Sequence, residues 1–462
     1  MLHYENEHEI KPQGDMESKI ISVGIFFDGT GNNGMNAIST EKPPKNNESY
    51  YGNITNIYKL FQLFNGEEKL YIEGIGTVTN EEDSDFAMAT CMNPAGFQGY
   101  SSDDKLQKAF SFVQDIYDST KQYEFYIYGF SRGSMLARNF CYELQKSDTL
   151  FYANSTVKFL GIFDTVESSP FNDYNVTVLP ATEKALHICA INECRYFFPL
   201  TGIFDDSACM QDSEFKTSNS VWKEIFVPGA HADIGGGYLE GPQSVYVSPN
   251  FLIESELEAY LNTVRTTATD AGGHEIWNYL LDDYFVDHGE FFSQACIVRN
   301  LVYNELSKVY GKLMIKESNA HRHIFRIDFQ ESDFLIDDEK HPYLVQLSKA
   351  LENYTQDFSS EIKPLYDYQK LTDYTHISAN FGLNIPAILK NSEDGGQTEF
   401  INNGLNVPGN SEDQFTANPS KLQSEIHHIE DSIVDYAYGT NIPNNDNWNR
   451  TILIKENLYN KC

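Results

Sequence analysis

Apolar residues in the first half of the chain occur alternately in short runs and at helical spacing. Ile20–Phe27 (IISVGIFF) is a nearly continuous apolar run that ends at Asp28-Gly29-Thr30-Gly31, the pattern of a buried strand entering a tight turn. Ile57, Leu60, Phe61 and Phe64 recur at helical spacing, as do Leu106, Ala109, Phe110, Val113 and Tyr117. Further strands are predicted at 69–74, 124–128, 157–163 and 222–227, with a helix over 132–144. Strands separated by helices of this length pair in parallel through right-handed crossovers. The expectation is an α/β fold with a mostly parallel sheet and helices on both faces.

Beyond about residue 240 the pattern changes. The spacing predicts a long helix over 292–314, a shorter one over 343–351, and a long Asn-, Ser- and Gly-rich loop over 391–420. Residues 18–315 are expected to form the catalytic domain, and 316–462 a mainly helical or loop-rich C-terminal cap or second domain. Two polar stretches, 38–53 and 80–104, follow strand ends, where α/β enzymes place the loops that shape a substrate site.

Composition narrows the functions that fit. The 462 residues carry 33 basic and 67 acidic side chains, a formal charge of −34. That charge argues against nucleic acid as a partner and against electrostatic adsorption to anionic lipid. With 41% apolar residues the chain can build a large core. Seven cysteines without a CxxC pair predict no disulfide framework and fit a reducing compartment. The first 19 residues show no apolar signal-peptide core, and no run of 18 apolar residues predicts a spanning helix. Any membrane contact is therefore expected to be peripheral.

The sharpest chemical feature is Gly129-Phe130-Ser131-Arg132-Gly133, between a predicted strand and a predicted helix. A Gly-x-Ser-x-Gly match arises by chance about 0.15 times in a chain this long. The strand–turn–helix setting makes it more specific, because a nucleophile elbow requires that context. Small residues let the chain turn tightly there, so the serine projects above the sheet edge while helix amides face a developing oxyanion. The competing reading is a glycine-bounded turn whose serine caps the helix.

A serine alcohol needs a base, and the base needs an orienting carboxylate. Asp164 closes the strand KFLGIF and is the candidate acid; its bland role would be to cap the turn. His231 lies in Pro228-Gly229-Ala230-His231-Ala232-Asp233-Ile234-Gly235-Gly236-Gly237-Tyr238 and is the candidate base. Asp233 is an alternative acid and His376 an alternative base. His187, His427 and His428 read as ordinary helix or surface residues. Backbone amides of Arg132, Gly29 and Thr30 are candidate oxyanion donors, against a plain turn in which Asp28 bonds local amides. The same turn lacks the GK[ST] of a phosphate loop. The acidic runs at 81–85 and 337–339 lack the EF-hand pattern. Tyr196-Phe197-Phe198 and Phe291-Phe292 are candidate lid aromatics, or simply core.

Gly24-Ile25-Phe26-Phe27-Asp28-Gly29-Thr30-Gly31-Asn32-Asn33, the Ser131 elbow, Phe163-Asp164-Thr165-Val166 and the His231 motif occur in one order. Together they resemble the α/β-hydrolase domain family of type VI secretion phospholipase effectors, the first lipase-effector family, over roughly residues 18–315. The resemblance implies a Ser131–Asp164–His231 triad and hydrolysis of glycerophospholipid acyl esters, a phospholipase A type of carboxylic ester hydrolase. It implies an antibacterial effector made in the bacterial cytoplasm and delivered by the secretion machine into a target cell's periplasm. A cognate immunity protein and a spike protein are the implied partners. The scheme calls for no metal and no cofactor. Two alternatives are an enzyme of the same fold acting on a soluble ester and a non-catalytic binding protein of that fold.

Overall fold

The structure is a computed structural model. It describes residues 19–453 apart from 44–46, 147–151, 172, 205–211, 250–251, 271–274, 289–292, 321, 327–332, 359–362, 382–442 and 444–447. The loop expected at 391–420, His427, His428 and the pair Phe291-Phe292 lie outside the described residues.

The described strands, in chain order, are β1 (Ile20–Phe27), β2 (Glu68–Ile72), β3 (Gln122–Phe130), β4 (Ser155–Phe163), β5 (Lys184–Ala190), β6 (Leu200–Thr201), β7 (Ser213–Lys216), β8 (Val221–Val227), β9 (Gly241–Tyr246), β10 (Phe285–His288), β11 (Ser293–Val302) and β12 (Ile452–Leu453). Seven of them form the main sheet in the order β2-β1-β3-β4-β5-β8-β7. Every pairing in it is parallel except that of the edge strand β7 with β8. The expected α/β architecture with a mostly parallel sheet is present.

Alternation along each strand divides the core into two layers. Phe26, Tyr128, Phe159 and Ile188 share one cluster with Ile57 and Leu60 of the helix Asn56–Leu63 and with Leu313 and Met314 of the helix Leu306–Asn319. Val23, Ile25, Phe27, Ile127 and Ile162 share the other with Leu106 and Ala109 of Ser102–Ile116 and with Met135 and Phe140 of Arg132–Leu144. Phe26 stacks on Tyr128 with ring centroids 5.0 Å apart, and the Tyr128 hydroxyl donates to Ser318 Oγ. Burial on both faces explains why β1 and β3 read as apolar runs rather than as polar–apolar alternation.

The chain leaves β1 toward β2 on one side and continues through β3, β4 and β5 on the other. The order therefore reverses between β1 and β3. In open α/β sheets the crevice at the carboxyl ends of such strands is the usual ligand site. The Asp28–Gly31 turn and Ser131 both stand at that edge.

Four expectations are corrected. Residues 292–314 are not one helix: β11 occupies Ser293–Val302, pairing with β10 and β9, and the helix Leu306–Asn319 comes after it. Its apolar run satisfies either period, and two flanking strands decide for the extended form. His187 lies neither in a helix nor at the surface; it is wholly buried in β5, a strand that the expected elements lacked. The polar stretch 80–104 contains a helix, Asp85–Thr90, and the stretch 38–53 contains the short helix Glu48–Tyr51. The helix expected at 343–351 is longer, Pro342–Gln356. Residues 315 and 316 fall inside the Leu306–Asn319 helix, which packs on the main sheet.

Among the described residues no helix is long and apolar enough to cross a membrane. The five described cysteines are all buried, and none forms a disulfide among the described residues. Ile127, at the middle of β3, is 0% exposed. Ile127→Ala should lower the unfolding free energy by about 3 kcal/mol through lost apolar burial and a residual cavity, read as a reduced urea midpoint.

Candidate active site

Ser131 stands between β3 and the helix Arg132–Leu144 with φ 58° and ψ −131°. A side chain other than glycine is strained at positive φ and is held there only by its surroundings. Here the Ser131 amide donates to the Phe163 carbonyl (3.1 Å), and the Ser131 carbonyl accepts from Ser134 (3.0 Å) and Val166 (3.3 Å). The flanking glycines are steric requirements. A Cβ on Gly133 would lie 2.2 Å from the Asp28 carbonyl oxygen, and one on Gly129 would lie 2.6 Å from Ser134 Cα. The Gly-x-Ser-x-Gly spacing thus lets the helix start directly against β1. The Arg132 amide is the first in that helix and has no intrahelical partner.

Asp164 directly follows β4, itself at positive φ (46°), with its side chain fully buried. Its Oδ2 is 2.5 Å from His231 Nδ1, and its Oδ1 accepts the Ala190 amide at 2.8 Å. Arg450 closes on both oxygens, with Nη1 to Oδ1 at 2.6 Å and Nη2 to Oδ2 at 2.9 Å. Burial opposes ionisation of Asp164. The Arg450 charge and the His231 bond overcome that opposition and hold the carboxyl well below the usual carboxylate range.

His231 opens the five-residue helix His231–Gly235, whose entry is fixed by the Ala230 amide donating to Asp233 Oδ2 (2.9 Å). Phe130 lies 4.6 Å and Phe198 5.1 Å from the imidazole, centroid to centroid. Burial pushes its proton affinity below the ordinary imidazole value, against the pull of Asp164, while the nearby Arg195 charge pushes the same way as burial. With Nδ1–H donating to Asp164, Nε2 is left as the basic nitrogen. No hydrogen bond joins it to Ser131 Oγ among the described residues; such bonds are often loose before substrate binds.

The two alternatives pair with each other. His376 Nδ1 is 2.7 Å from Asp233 Oδ1, the His376 amide donates to Oδ2 (3.0 Å), and Tyr238 stacks on the imidazole at 4.1 Å. The structure therefore couples Asp164 with His231 and, separately, Asp233 with His376.

At the β1 turn, the buried Asp28 accepts from Tyr71 Oη (2.6 Å), Thr55 Oγ1 (2.7 Å) and the Gly29 amide (2.8 Å). Burial raises its carboxyl to about 6, although these three bonds lower it. The Gly29 amide is thereby engaged by Asp28, the local bond that a plain turn would make. The Thr30 amide has no partner among the described residues, and Thr30 Oγ1 is buried without one. Of the aromatic stretch, Tyr196 and Phe197 are about half exposed (52% and 48%), whereas Phe198 faces His231.

Sequence reasoning missed four participants. Arg450 carries no local signal, because its contact with Asp164 spans 286 residues. Glu193 and Arg195, in the stretch INECRYFF, form a fully buried ion pair (2.9 Å), and Glu193 also receives the His231 amide at 3.3 Å. Two charges inside an apolar stretch were the available clue. His187 pairs with Glu224 through Nδ1 (2.7 Å) and accepts the Thr165 amide on Nε2 (3.1 Å), so it buttresses the turn just after Asp164. His187, Cys189 and Glu224 are close enough to share an ion, but both imidazole nitrogens already have protein partners.

Residues 22–145 and 140–249 match the model of the Tle1-like phospholipase effector catalytic domain of type VI secretion. Over residues 22–249 the chain belongs to the Tle1-like family of type VI secretion phospholipase effectors. Among solved structures, the Tle1 effector bound to the VgrG spike from the type VI secretion system aligns over 97% of this chain and 98% of its own. The TM-score is 0.57 at 18% identity, which shows a shared fold. An uncharacterized protein from Pseudomonas aeruginosa aligns over 76% of this chain and 52% of its own, with TM-score 0.39 and 16% identity. No curated protein matches the chain. The Tle1-like match contains Ser131, Asp164 and His231, whereas His376 and Arg450 lie outside it.

The buried Glu193–Arg195 pair beside His231 makes a pH-dependent contribution to stability. Burial opposes the ionised form of Glu193, but Arg195 brings its carboxyl from an ordinary 4.5 down to about 2. A depressed carboxylate stabilises the fold fully above its unfolded value and progressively less as pH falls through its folded one. Glu193→Gln should cost about 3 kcal/mol at pH 7 by leaving Arg195 buried and unpaired. The gap from wild type should close as pH falls from 4.5 toward 2, measured by urea unfolding at a series of pH values.

Proposed function

We propose that this chain is a serine-dependent phospholipase of the A type, with an α/β-hydrolase catalytic unit at residues 18–315 and an accessory region at 316–462. The observation that carries the reading is the Asp164–His231 bond of 2.5 Å, built at the same sheet edge as the strained elbow serine. In the proposed reaction His231 Nε2 takes the proton of Ser131 Oγ as the oxygen attacks an acyl carbonyl carbon. Asp164 stays ionised and stabilises the imidazolium. The carbonyl π pair moves onto oxygen, where the amides of Arg132 and Thr30 would receive it. On collapse the C–O ester bond breaks, and His231 returns the proton to the departing lysophospholipid alkoxide. Water, deprotonated by His231, then cleaves the acyl-enzyme and releases a fatty acid and free Ser131.

Phospholipid is favoured over a soluble ester by the exposed Tyr196 and Phe197, which follow β5 and immediately precede Phe198 against His231. Aromatic side chains with a polar or exposed tip suit a lipid–water interface. The effector reading places synthesis in the bacterial cytoplasm and action in the periplasm of a rival, with an immunity protein guarding the producer. A VgrG-type spike is the proposed carrier, by likeness to the Tle1 structure that was solved with one.

Wild-type protein should release fatty acid from mixed phospholipid vesicles. Ser131→Ala should reduce that release by at least about 10³-fold while leaving the fold intact. Retained activity in the variant would overturn the nucleophile assignment. Faster turnover of a dissolved short-chain ester than of vesicles would favour the soluble-substrate alternative.

A further inference from the structure

The side chain of Arg450 is wholly buried, and all three of its guanidinium nitrogens donate within the site. Nη1 and Nη2 take the two oxygens of Asp164 (2.6 and 2.9 Å), and Nε donates to the Phe198 carbonyl at 2.8 Å. The segment that bears it is fastened on both sides. Trp448 is 0% exposed, packs edge-on to Trp277 at 5.2 Å and donates to Tyr260 Oη at 3.1 Å. Thr451 accepts the Leu200 amide at 2.8 Å, and β12 pairs in parallel with β6. This strap arrives from a part of the chain remote from β4, yet its cation lands on the carboxylate that holds His231.

We propose that Arg450 is a positioning residue for the hydrolysis, and that residues 448–453 form the strap that completes the active site by clamping Asp164. The inference rests on the serine-hydrolase reading above. A bidentate fork holds a carboxylate in one plane with its remaining lone pairs in fixed directions, so Arg450 aims Oδ2 at His231 Nδ1. The same fixed charge offsets part of the field of Asp164 at the imidazole. His231 therefore stays neutral, and able to act as a base, to lower pH than Asp164 alone would allow.

The other charges facing His231 come in matched pairs. Glu193 and Arg195, after β5, neutralise each other. On the histidine's own helix, Asp233 is bonded to His376, and Arg299 from β11 lies close enough to feel its charge. Cys189 of β5 is buried, and its thiol is pushed well above its ordinary value, so it stays uncharged. Removing the Arg450 charge would leave Asp164 alone unbalanced.

The test compares full-length wild type, R450K, R450Q and S131A by the rate at which a fluorophosphonate labels Ser131, measured from pH 4 to 9 and localised by mass spectrometry. In the labelling step Ser131 Oγ bonds to phosphorus, fluoride leaves, and the hydroxyl proton passes through His231 to solvent. This readout does not depend on knowing the lipid. R450Q should label about ten-fold more slowly at its optimum, with its acid limb about one pH unit higher. R450K retains the charge without the fork, so its limb should stay within about 0.3 pH units of wild type while its rate falls between the two.

A wild-type limb and rate in R450Q would overturn the positioning role, as would a limb in R450K displaced as far as in R450Q. If R450Q loses its near-ultraviolet circular dichroism and does not fold, R450K decides. A slower rate with an unmoved limb then supports the clamp, and a wild-type rate overturns it. Absence of Ser131 labelling in wild type would instead overturn the serine reading, and this inference with it.

Discussion

An ionised carboxylate removed from water must be met by charges and hydrogen bonds, or it will not stay ionised. The fold answers that constraint at Asp164. Its two oxygens receive a backbone amide from β5, both arms of the Arg450 fork and the His231 imidazole. Each partner comes from a different segment: the end of β5, the strap beside β12, and the short helix after β8. The carboxylate therefore serves as the junction at which the carboxyl edge of the sheet, the histidine loop and the C-terminal segment meet.

Charge pairing continues outward from that junction. Glu193 and Arg195 lie under the same histidine loop, and Glu193 also accepts the Ser378 hydroxyl (3.0 Å), which brings in the 372–381 segment. His376, in that segment, is fixed to Asp233 by two bonds. The His231 helix is thus held from the sheet side by Asp164 and Glu193 and from the far side by His376. A helix of five residues has little stability of its own, so these tertiary bonds keep the imidazole in place. The two imidazole–carboxylate pairs are chemically alike but differ in position. Only the Asp164–His231 pair includes the residue directly after β4, whose Phe163 carbonyl accepts the Ser131 amide.

Steric constraints act beside the electrostatic ones. Gly133 leaves no space for a side chain between the elbow and the carbonyls at the end of β1, which fixes the distance between Ser131 and the Asp28–Gly31 turn. That turn is ordered from within by Asp28, whose three bonds include the Gly29 amide. Within it the Gly29 amide is taken by Asp28, whereas the Thr30 amide has no partner among the described residues.

The chain's own order of residues determined much of this. Two-sided burial makes β1, β3 and β4 apolar runs, and helical spacing marks the elements between them, so the parallel sheet was legible. Ser131 and His231 stood out as candidates because a strained turn and a close loop need glycines at set positions, and Asp164 because it follows a strand end. Periodicity could not decide β11, whose run suits either a helix or a strand until β9 and β10 flank it. Nor could it place His187, since a histidine looks polar until Glu224 and the Thr165 amide satisfy it. Which of Asp164 and Asp233 pairs with His231, and which with His376, belonged to the tertiary structure. All four residues fit the chemistry, and only folding decides which oxygen meets which nitrogen. Arg450 belongs wholly to that second class: its role depends on a contact across 286 residues, and no local pattern encodes a distance of that kind.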